Sequence, residues 1–210
     1  MLRLYKTPTL LKKLMPGYTW SRQARGKSLY LTFDDGPIPE VTPWVLEQLA
    51  KFEAKATFFC VGDNLVKHPE VARQVLMQGH VLANHTYNHL KGWRTPLQDY
   101  LQNVAACQAA LDKLQPARSP QLFRPPYGRI SSRQAAQLRG KYELVMWDVL
   151  TNDYDNTLPS EKCLQNTLQH TQSGSIIVFH DSLKAKRNMM YALPRFLDHF
   201  CGLGYSFKTL

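Results

Sequence analysis

The sequence predicts an α/β fold built on a mostly parallel sheet, because strand-like and helix-like patterns alternate along its 210 residues. The first unit shows this alternation: residues 28–33 have a strand pattern, and residues 40–52 then repeat apolar side chains at helical spacing. With 44% hydrophobic and 20% charged residues, the composition excludes disordered, collagen-like and disulfide-scaffold proteins. The sheet is either open and doubly wound or closed into a barrel.

The same alternation continues to the end of the chain. Further strands are predicted at 56–61, 80–83, 121–123, 142–147, 175–179 and 205–207. Helices are predicted at 66–77, from 96 to about 116, from 131 or 132, at 160–172 and at about 190–200. The long third helix is expected to begin with Thr95 as N-cap, Pro96 in the first turn and Gln98 in a capping box.

Residues 27–210 are expected to form one domain, and residues 1–26 an extension that packs on it or leads into it. The stretch 2–15 has scattered basic residues and no apolar run followed by a cleavage site, so a cleavable signal peptide is not expected. No apolar run approaches the roughly 18 residues of a membrane span. A cytoplasmic location is the default, and attachment to a membrane surface or to the cell envelope is the alternative.

The chain is strongly basic, with 26 lysine and arginine residues against 16 acidic ones and a formal net charge of +10. This charge attracts anions in general, so nucleic acid, anionic lipid and anionic glycan all fit it. It says nothing about the oligomeric state. The four cysteines lie far apart and form no CxxC pair, which predicts buried, reduced thiols.

Residues with catalytic chemistry follow directly after five of the predicted strands. They are Asp34 and Asp35 after the first, His85 and His89 after the third, Arg124 and Tyr127 after the fourth, Asp148 and Asp153 after the fifth, and His180 after the sixth. Carboxyl ends of parallel strands share one edge of a sheet, where active sites lie. Convergence from five strands on one point favours the barrel.

His85 and His89 are four residues apart, so both imidazoles could bind one cation if the stretch turns helically. Thr86 stands where HExxH peptidases have their glutamate base, so a base must come from elsewhere. Asp34 and Asp35 could take two different roles: one completes an Asp-His-His metal site, and the other is the general base. The alternatives are solvated or capping histidines and an ordinary Asp-Asp-Gly-Pro turn.

Two further strand ends carry candidate catalytic groups. His180 follows a buried apolar strand, and its near-neutral pKa suits a general acid. Two prolines fix the backbone after Arg124, so its guanidinium could hold the base carboxylate and an amide near Tyr127 could stabilise an oxyanion. For both strand ends, a purely structural role is the alternative.

In chain order, from 29 to 181, these segments resemble the motifs of the NodB-homology polysaccharide deacetylases, carbohydrate esterase family four. The matching segments are Thr-Phe-Asp-Asp-Gly-Pro at 32–37, His-Thr-Tyr-Asn-His at 85–89, Arg-Pro-Pro-Tyr at 124–127, the aspartate at 153, and Val-Phe-His at 178–180. Several ordered matches are more specific than any single one. The resemblance implies a deformed (β/α)7 barrel.

The resemblance also implies an activity: metal-dependent removal of N-acetyl, or else O-acetyl, groups from an amino-sugar glycan such as peptidoglycan or chitin. Its cofactor would be a divalent ion, with zinc as first choice and cobalt or nickel as alternatives. The implied partner is an N-acetylated glycan, and no nucleic acid is expected. The competing functions are hydrolysis of a cyclic imide or ureide on the same barrel and a non-catalytic module that binds an anionic polymer.

The resemblance assigns a role to each matching residue. Asp34 is the base; Asp35, His85 and His89 hold the metal; His180 is the acid; Arg124 orients Asp34; the Tyr127 amide helps to bind the oxyanion; and Asp153 tunes the acid.

The chain departs from the family pattern at Tyr154, where tryptophan is usual, and at Val178, where leucine is usual. Both are expected to form the wall beside the acetyl methyl. Leu150 replaces a frequent aspartate, which leaves Asp148 as the alternative to Asp153.

Overall fold

Eight strands form one sheet in the computed structural model, which describes residues 3–23, 26–116 and 121–210. The strands are β1 (Ser28–Asp34), β2 (Ala56–Cys60), β3 (Val81–Asn84), β4 (Gln121–Phe123), β5 (Tyr142–Leu144), β6 (Val149–Leu150), β7 (Ile176–His180) and β8 (Ser206–Phe207). Their order is β5-β4-β3-β2-β1-β7-β6, with β8 paired to β1, and every strand pairing is parallel. The curled parallel sheet confirms the predicted fold class.

Helices connect the strands. They are α1 (Thr9–Leu14), α2 (Thr42–Lys51), α3 (Gly62–Lys67), α4 (Pro69–Met77), α5 (Leu97–Asp112), α6 (Ser132–Leu138), α7 (Ser160–His170) and α8 (Lys186–Gly202), with short 3-10 turns at Gly92–Arg94 and Pro126–Gly128. None of the helices among the described residues is long and apolar enough to cross a membrane.

Side-chain alternation along β1 divides the interior into two layers. Leu29, Leu31 and Phe33 face the helices and belong to the main hydrophobic core, which also contains buried residues of α2 and α8. Thr32 and Asp34 face the opposite way and both contact a buried arginine inside the curled sheet. The outer face of β1 therefore stabilises the fold, and its inner face supplies the site.

The segment before β1 runs along both ends of the sheet. The amide of Thr19 donates to the Leu144 carbonyl beside β5 (2.9 Å), and the Leu150 amide of β6 donates to the Tyr5 carbonyl (2.9 Å). Backbone groups of end strands would otherwise lie unpaired, so this segment covers two edges. Residues 1–2 and 24–25 of the predicted extension lie outside the described residues.

Two of the predicted helices differ in detail from the helices of the structure. The helix predicted at 66–77 is two helices, because Pro69 disfavours a helical conformation at His68, which has φ −129° and ψ 53°. The predicted capping box at Thr95 is wrong: α5 begins at Leu97 without a side-chain cap, and the Thr95 hydroxyl donates to the Lys91 carbonyl instead (2.9 Å).

The strand predicted at 142–147 ends at Leu144, and β6 follows separately at Val149. Beyond β5 the backbone amide of Met146 donates to the Thr19 carbonyl (2.8 Å), so the N-terminal segment takes over the pairing there. All four cysteines are free thiols, as expected, and Cys60, Cys107 and Cys163 are buried, but Cys201 is only partly buried.

Candidate active site

A cleft of about 440 Å³ opens at the carboxyl edge of the sheet, which is large enough for part of a glycan chain. Eight of the ten predicted site residues line it: Asp34, Asp35, His85, His89, Tyr127, Tyr154, Val178 and His180. The other two, Arg124 and Asp153, are fully buried behind it. The structure therefore brings all ten together at one place.

Asp35, His85 and His89 form a cluster whose ligand atoms all lie within 4.8 Å of one another. The Nε2 atom of His89 is 3.2 Å from Oδ1 of Asp35, and Nε2 of His85 is 3.9 Å from the same oxygen. One carboxylate and two imidazoles are a donor set that zinc and similar divalent ions accept. The residues that the structure describes thus include a group able to hold a metal ion.

The two histidines do not converge through a helical turn, which corrects the expectation. Residues 85–90 are irregular, and Thr86 and His89 adopt left-handed backbone angles with φ of 64° and 55°. The Asn84 side chain accepts the Thr86 amide (2.9 Å), and the Thr86 hydroxyl accepts the Leu90 amide (3.1 Å). These local hydrogen bonds stabilise a left-handed backbone conformation that non-glycine residues rarely adopt.

The His85 ring is held in one orientation. Its Nδ1 lies 2.8 Å from the backbone carbonyl of Arg124, which requires a proton on Nδ1 and leaves Nε2 free as an acceptor toward the cleft. Burial lowers the pKa of His85 to about 4, despite the nearby Asp34 that raises it. The ring is therefore neutral at physiological pH, as a metal ligand must be.

Asp34 is held by a fully buried guanidinium. Nη1 of Arg124 donates to Oδ1 of Asp34 (2.6 Å) and to the Thr32 hydroxyl (2.8 Å), while Nη2 donates to the Met146 carbonyl (2.9 Å). The guanidinium also lies over the Phe59 ring, 4.1 Å from its centre. Bonds in several directions fix Arg124, and Arg124 in turn fixes the Asp34 carboxylate.

His180 lines the same cleft at the end of β7, the strand that pairs with β1. Asp153 accepts its backbone amide at Oδ2 (2.8 Å) and contacts its Nδ1 at Oδ1 (2.7 Å). Burial by itself would lower the pKa of His180, but the charge and hydrogen bond of Asp153 raise it to about 9. The imidazole therefore carries a proton at neutral pH.

Asp148, the alternative to Asp153, is bound elsewhere. It is buried and accepts hydrogen bonds from Lys6 (2.7 Å), Ser175 (2.5 Å) and Lys12. These bonds lower its pKa against the effect of burial. Asp148 therefore ties the N-terminal segment to the sheet, and Asp153 is the partner of His180.

The remaining predicted residues, Tyr127, Tyr154 and Val178, also line the cleft. The Tyr127 ring, half exposed, packs 4.7 Å from the His89 ring, and Tyr127 has a left-handed φ of 61°. Tyr154 meets His180 edge to face at 5.0 Å, and Val178 lines the same wall. Trp147 also lines the cleft and packs so closely on Gly128 that a Cβ there would lie 2.6 Å from its ring.

Asp181 follows His180 directly but was not among the predicted site residues. Its buried carboxylate accepts the Gly36 amide (3.1 Å) and the Thr42 hydroxyl (2.6 Å), which fixes the turn after Asp35. Burial raises the pKa of Asp181 to about 8, against the hydrogen bond from Thr42. Trp147, Lys91, Arg129 and Lys184 also line the cleft without having been predicted, because no local pattern distinguishes them from ordinary surface residues.

The sequence profile of the family described as polysaccharide deacetylase matches residues 21–146. The chain belongs to this family. It is 33% identical over 206 residues to a peptidoglycan-N-acetylglucosamine deacetylase of Bacillus cereus, covering 96% of this chain and 95% of that protein. It is 34% identical to a chitooligosaccharide deacetylase of Azorhizobium caulinodans, covering 73% of each.

Solved structures agree with the family assignment. A crystal structure of a peptidoglycan N-acetylglucosamine deacetylase in complex with an N-hydroxybenzamide matches with a TM-score of 0.87 and 29% identity, covering 97% of this chain and 95% of that one. The resemblance, the deformed barrel and the predicted class of polysaccharide deacetylase are thereby confirmed. A pseudoenzyme from Bacillus anthracis also matches, with a TM-score of 0.80 at 20% identity, which shows the fold alone.

Proposed function

We propose that this deacetylase hydrolyses the N-acetyl groups of amino-sugar residues in a glycan and uses a divalent metal ion, with zinc as first choice. One observation carries the proposal: a ligand cluster, a fixed carboxylate and a protonated imidazole line one cleft. The names of the Bacillus cereus and Azorhizobium relatives, which refer to N-acetylglucosamine and chitooligosaccharide, support an N-acetylated sugar as substrate.

The cluster fits a divalent ion. Asp35, His85 and His89 would hold it, because their ligand atoms lie close together and the carbonyl of Arg124 fixes the His85 ring with Nε2 free. Cobalt or nickel suits the same donors. When bound, the ion would polarise the acetamide carbonyl and lower the pKa of water.

Asp34 then acts as the general base. Arg124 occupies its Oδ1, which leaves Oδ2, 3.9 Å from Nε2 of His85, to accept a proton from the attacking water. The fixed guanidinium keeps the carboxylate aimed at the ligand cluster throughout the reaction.

His180 donates its proton to the departing sugar amine, because Asp153 keeps it charged at neutral pH. We assign oxyanion stabilisation to the backbone amide of Tyr127, whose ring packs on His89. Tyr154 and Val178 form the wall next to the acetyl methyl. The products are acetate and a free amine.

Asp34→Asn tests this proposal. Acetate release from chitotetraose or peptidoglycan should fall by about 10²- to 10⁴-fold, while the metal content measured by elemental analysis stays unchanged. Asp112→Asn is the matched control, since Asp112 is exposed on α5 and lies outside the cleft. Chelation should abolish the activity of the unmodified protein, and added zinc should restore it.

Normal turnover in Asp34→Asn, or full activity after removal of bound metal, would contradict the proposal. Ring opening of a cyclic ureide without acetate release would support the competing hydrolase instead. Salt-sensitive polymer binding that is indifferent to chelator would support the binding module.

A further inference from the structure

Three cationic side chains, Lys91, Arg129 and Lys184, line the outer part of the catalytic cleft. The acidic residues of the same lining are Asp34 and Asp35, which are held by Arg124 and the metal-ligand histidines deeper in the cleft. The mouth of the cleft therefore presents positive charge to a ligand.

Two of these cations stand on the flank of the ligand cluster. The Lys91 ammonium lies 4.8 Å from the centre of the Tyr127 ring, and the Arg129 guanidinium lies 5.3 Å from the centre of the Trp93 ring. Trp93 is 65% exposed, and its indole N–H donates to the Ile130 carbonyl (2.9 Å), so the ring is anchored at the surface. Cation–π contact holds both cations near the mouth.

The third cation stands on the flank of the general acid. The Lys184 ammonium lies 5.5 Å from the centre of the Tyr154 ring, which itself packs on His180. Hydrogen bonding of the Tyr154 hydroxyl to the Asn152 side chain (3.1 Å) fixes this ring. Positive charge thus lies both near the ligand cluster and near His180.

The side-chain nitrogens of these three cations form neither an ion pair nor a hydrogen bond with any residue that the structure describes. Other basic residues do find acidic partners: Lys67 pairs with Asp63, and Arg22 pairs with Glu143. Aromatic faces bind the apolar faces of sugar rings, and unpaired cations beside them bind carboxylates. The mouth therefore matches a glycan with negative charge.

We propose that Lys91, Arg129 and Lys184 select a glycan that carries a carboxylate next to the acetylated sugar over a neutral chitin-type chain. This inference rests on the proposed function, because it names the substrate class of the same cleft. Such a carboxylate has two sources: a lactyl ether on the sugar itself, or a peptide attached to that ether.

The test compares kcat/KM of the zinc-loaded protein on four matched substrates. They are chitotetraose, a tetrasaccharide of alternating N-acetylglucosamine and its lactyl ether, the same tetrasaccharide with its carboxylates converted to methylamides, and the same tetrasaccharide with attached peptides. The lactyl carboxylate form should exceed the methylamide form by roughly tenfold, since each exposed ion pair contributes a factor of about 1.4 to 5. The advantage should shrink as salt rises.

Two sets of substitutions test whether the preference for the carboxylate substrate comes from the cations of the cleft. The triple substitution K91Q, R129Q and K184Q should remove the roughly tenfold preference, whereas K51Q, K113Q and K162Q together remove the same charge outside the cleft and should leave the preference intact. Thermal unfolding of both triple variants verifies that they fold.

Equal rates on the carboxylate and methylamide forms, together with no preference for the peptide form, would overturn the inference. A preference that survives the cleft substitutions, or that falls equally in the control, would also overturn it. If only the peptide form is preferred, and the cleft substitutions remove that preference, the inference stands with the peptide as source. If the zinc-loaded protein releases acetate from none of the four substrates, the proposed function itself fails.

Discussion

Replacing Asp153 with asparagine is expected to move the alkaline limb of the pH–rate profile to lower pH. A general acid must be protonated, so activity is lost as pH rises through its pKa. Asp153 raises the pKa of His180 to about 9 by charge and by its hydrogen bond to Nδ1. An asparagine at this position loses the charge and keeps only one of the two oxygens that accept hydrogen bonds from His180.

The size of the effect follows from the burial of His180. Burial lowers the pKa of His180, while Asp35 and Asp34 still raise it, so we take the ordinary value of about 6.5 for the variant. The protonated fraction at pH 8 then falls from about 0.9 to about 0.03, a loss of about 30-fold, whereas the loss at pH 6 is less than about twofold. Expressed as free energy, the shift is on the order of 3 kcal/mol.

The assay is kcat/KM for acetate release between pH 5.5 and 9.5 at saturating metal, with Asp112→Asn as the control. Any effect of the ion on His180 is common to both proteins, so the difference reports Asp153. A nuclear magnetic resonance titration of the His180 ring measures the same pKa directly. A loss of activity that is the same at pH 6 and pH 8 would refute the reasoning.

Two further predictions concern stability. Gly36→Ala places a Cβ 2.0 Å from the Asp181 carboxylate and should lower the free energy of unfolding by about 1–3 kcal/mol, whereas Gly140→Ala, whose Cβ meets nothing within 4 Å, should change it little. Equal thermal midpoints for the two alanine variants would count against this. Deletion of residues 1–16 removes both lysine partners of Asp148 and should cost about 3–5 kcal/mol in chemical denaturation. Asp148→Asn in the shortened chain should recover part of that loss, and an undiminished stability of the shortened chain would show that the buried charge needs no partner.

The alternation of strands and helices was readable from the sequence, because each element buries one face and its apolar period follows from that. The grouping of Asp34, Arg124 and His180 was readable for a related reason, since polar residues directly after apolar strands must meet at one edge. The resemblance to the family motifs then predicted Asp34 as the base and Asp35 as the metal ligand.

Features that depend on tertiary contact were not readable. His85 and His89 meet through left-handed residues that no periodicity predicts. Asp148 resembled a partner for His180 until the lysines of the N-terminal segment were seen to bind it. Lys184 contributes to the cleft through its contact with Tyr154, which is distant from it in the sequence.

Arg124 supports two functions at once, since its guanidinium holds Asp34 and its backbone carbonyl orients His85. A substitution there removes the guanidinium from Asp34 but keeps the carbonyl, so it acts directly on the carboxylate and reaches the His85 ring only through a shift of the backbone. Tyr154 and Val178 line the same cleft through other contacts, so substitutions there change the wall of the cleft and leave both contacts of Arg124 in place. New acyl specificities are expected to arise there.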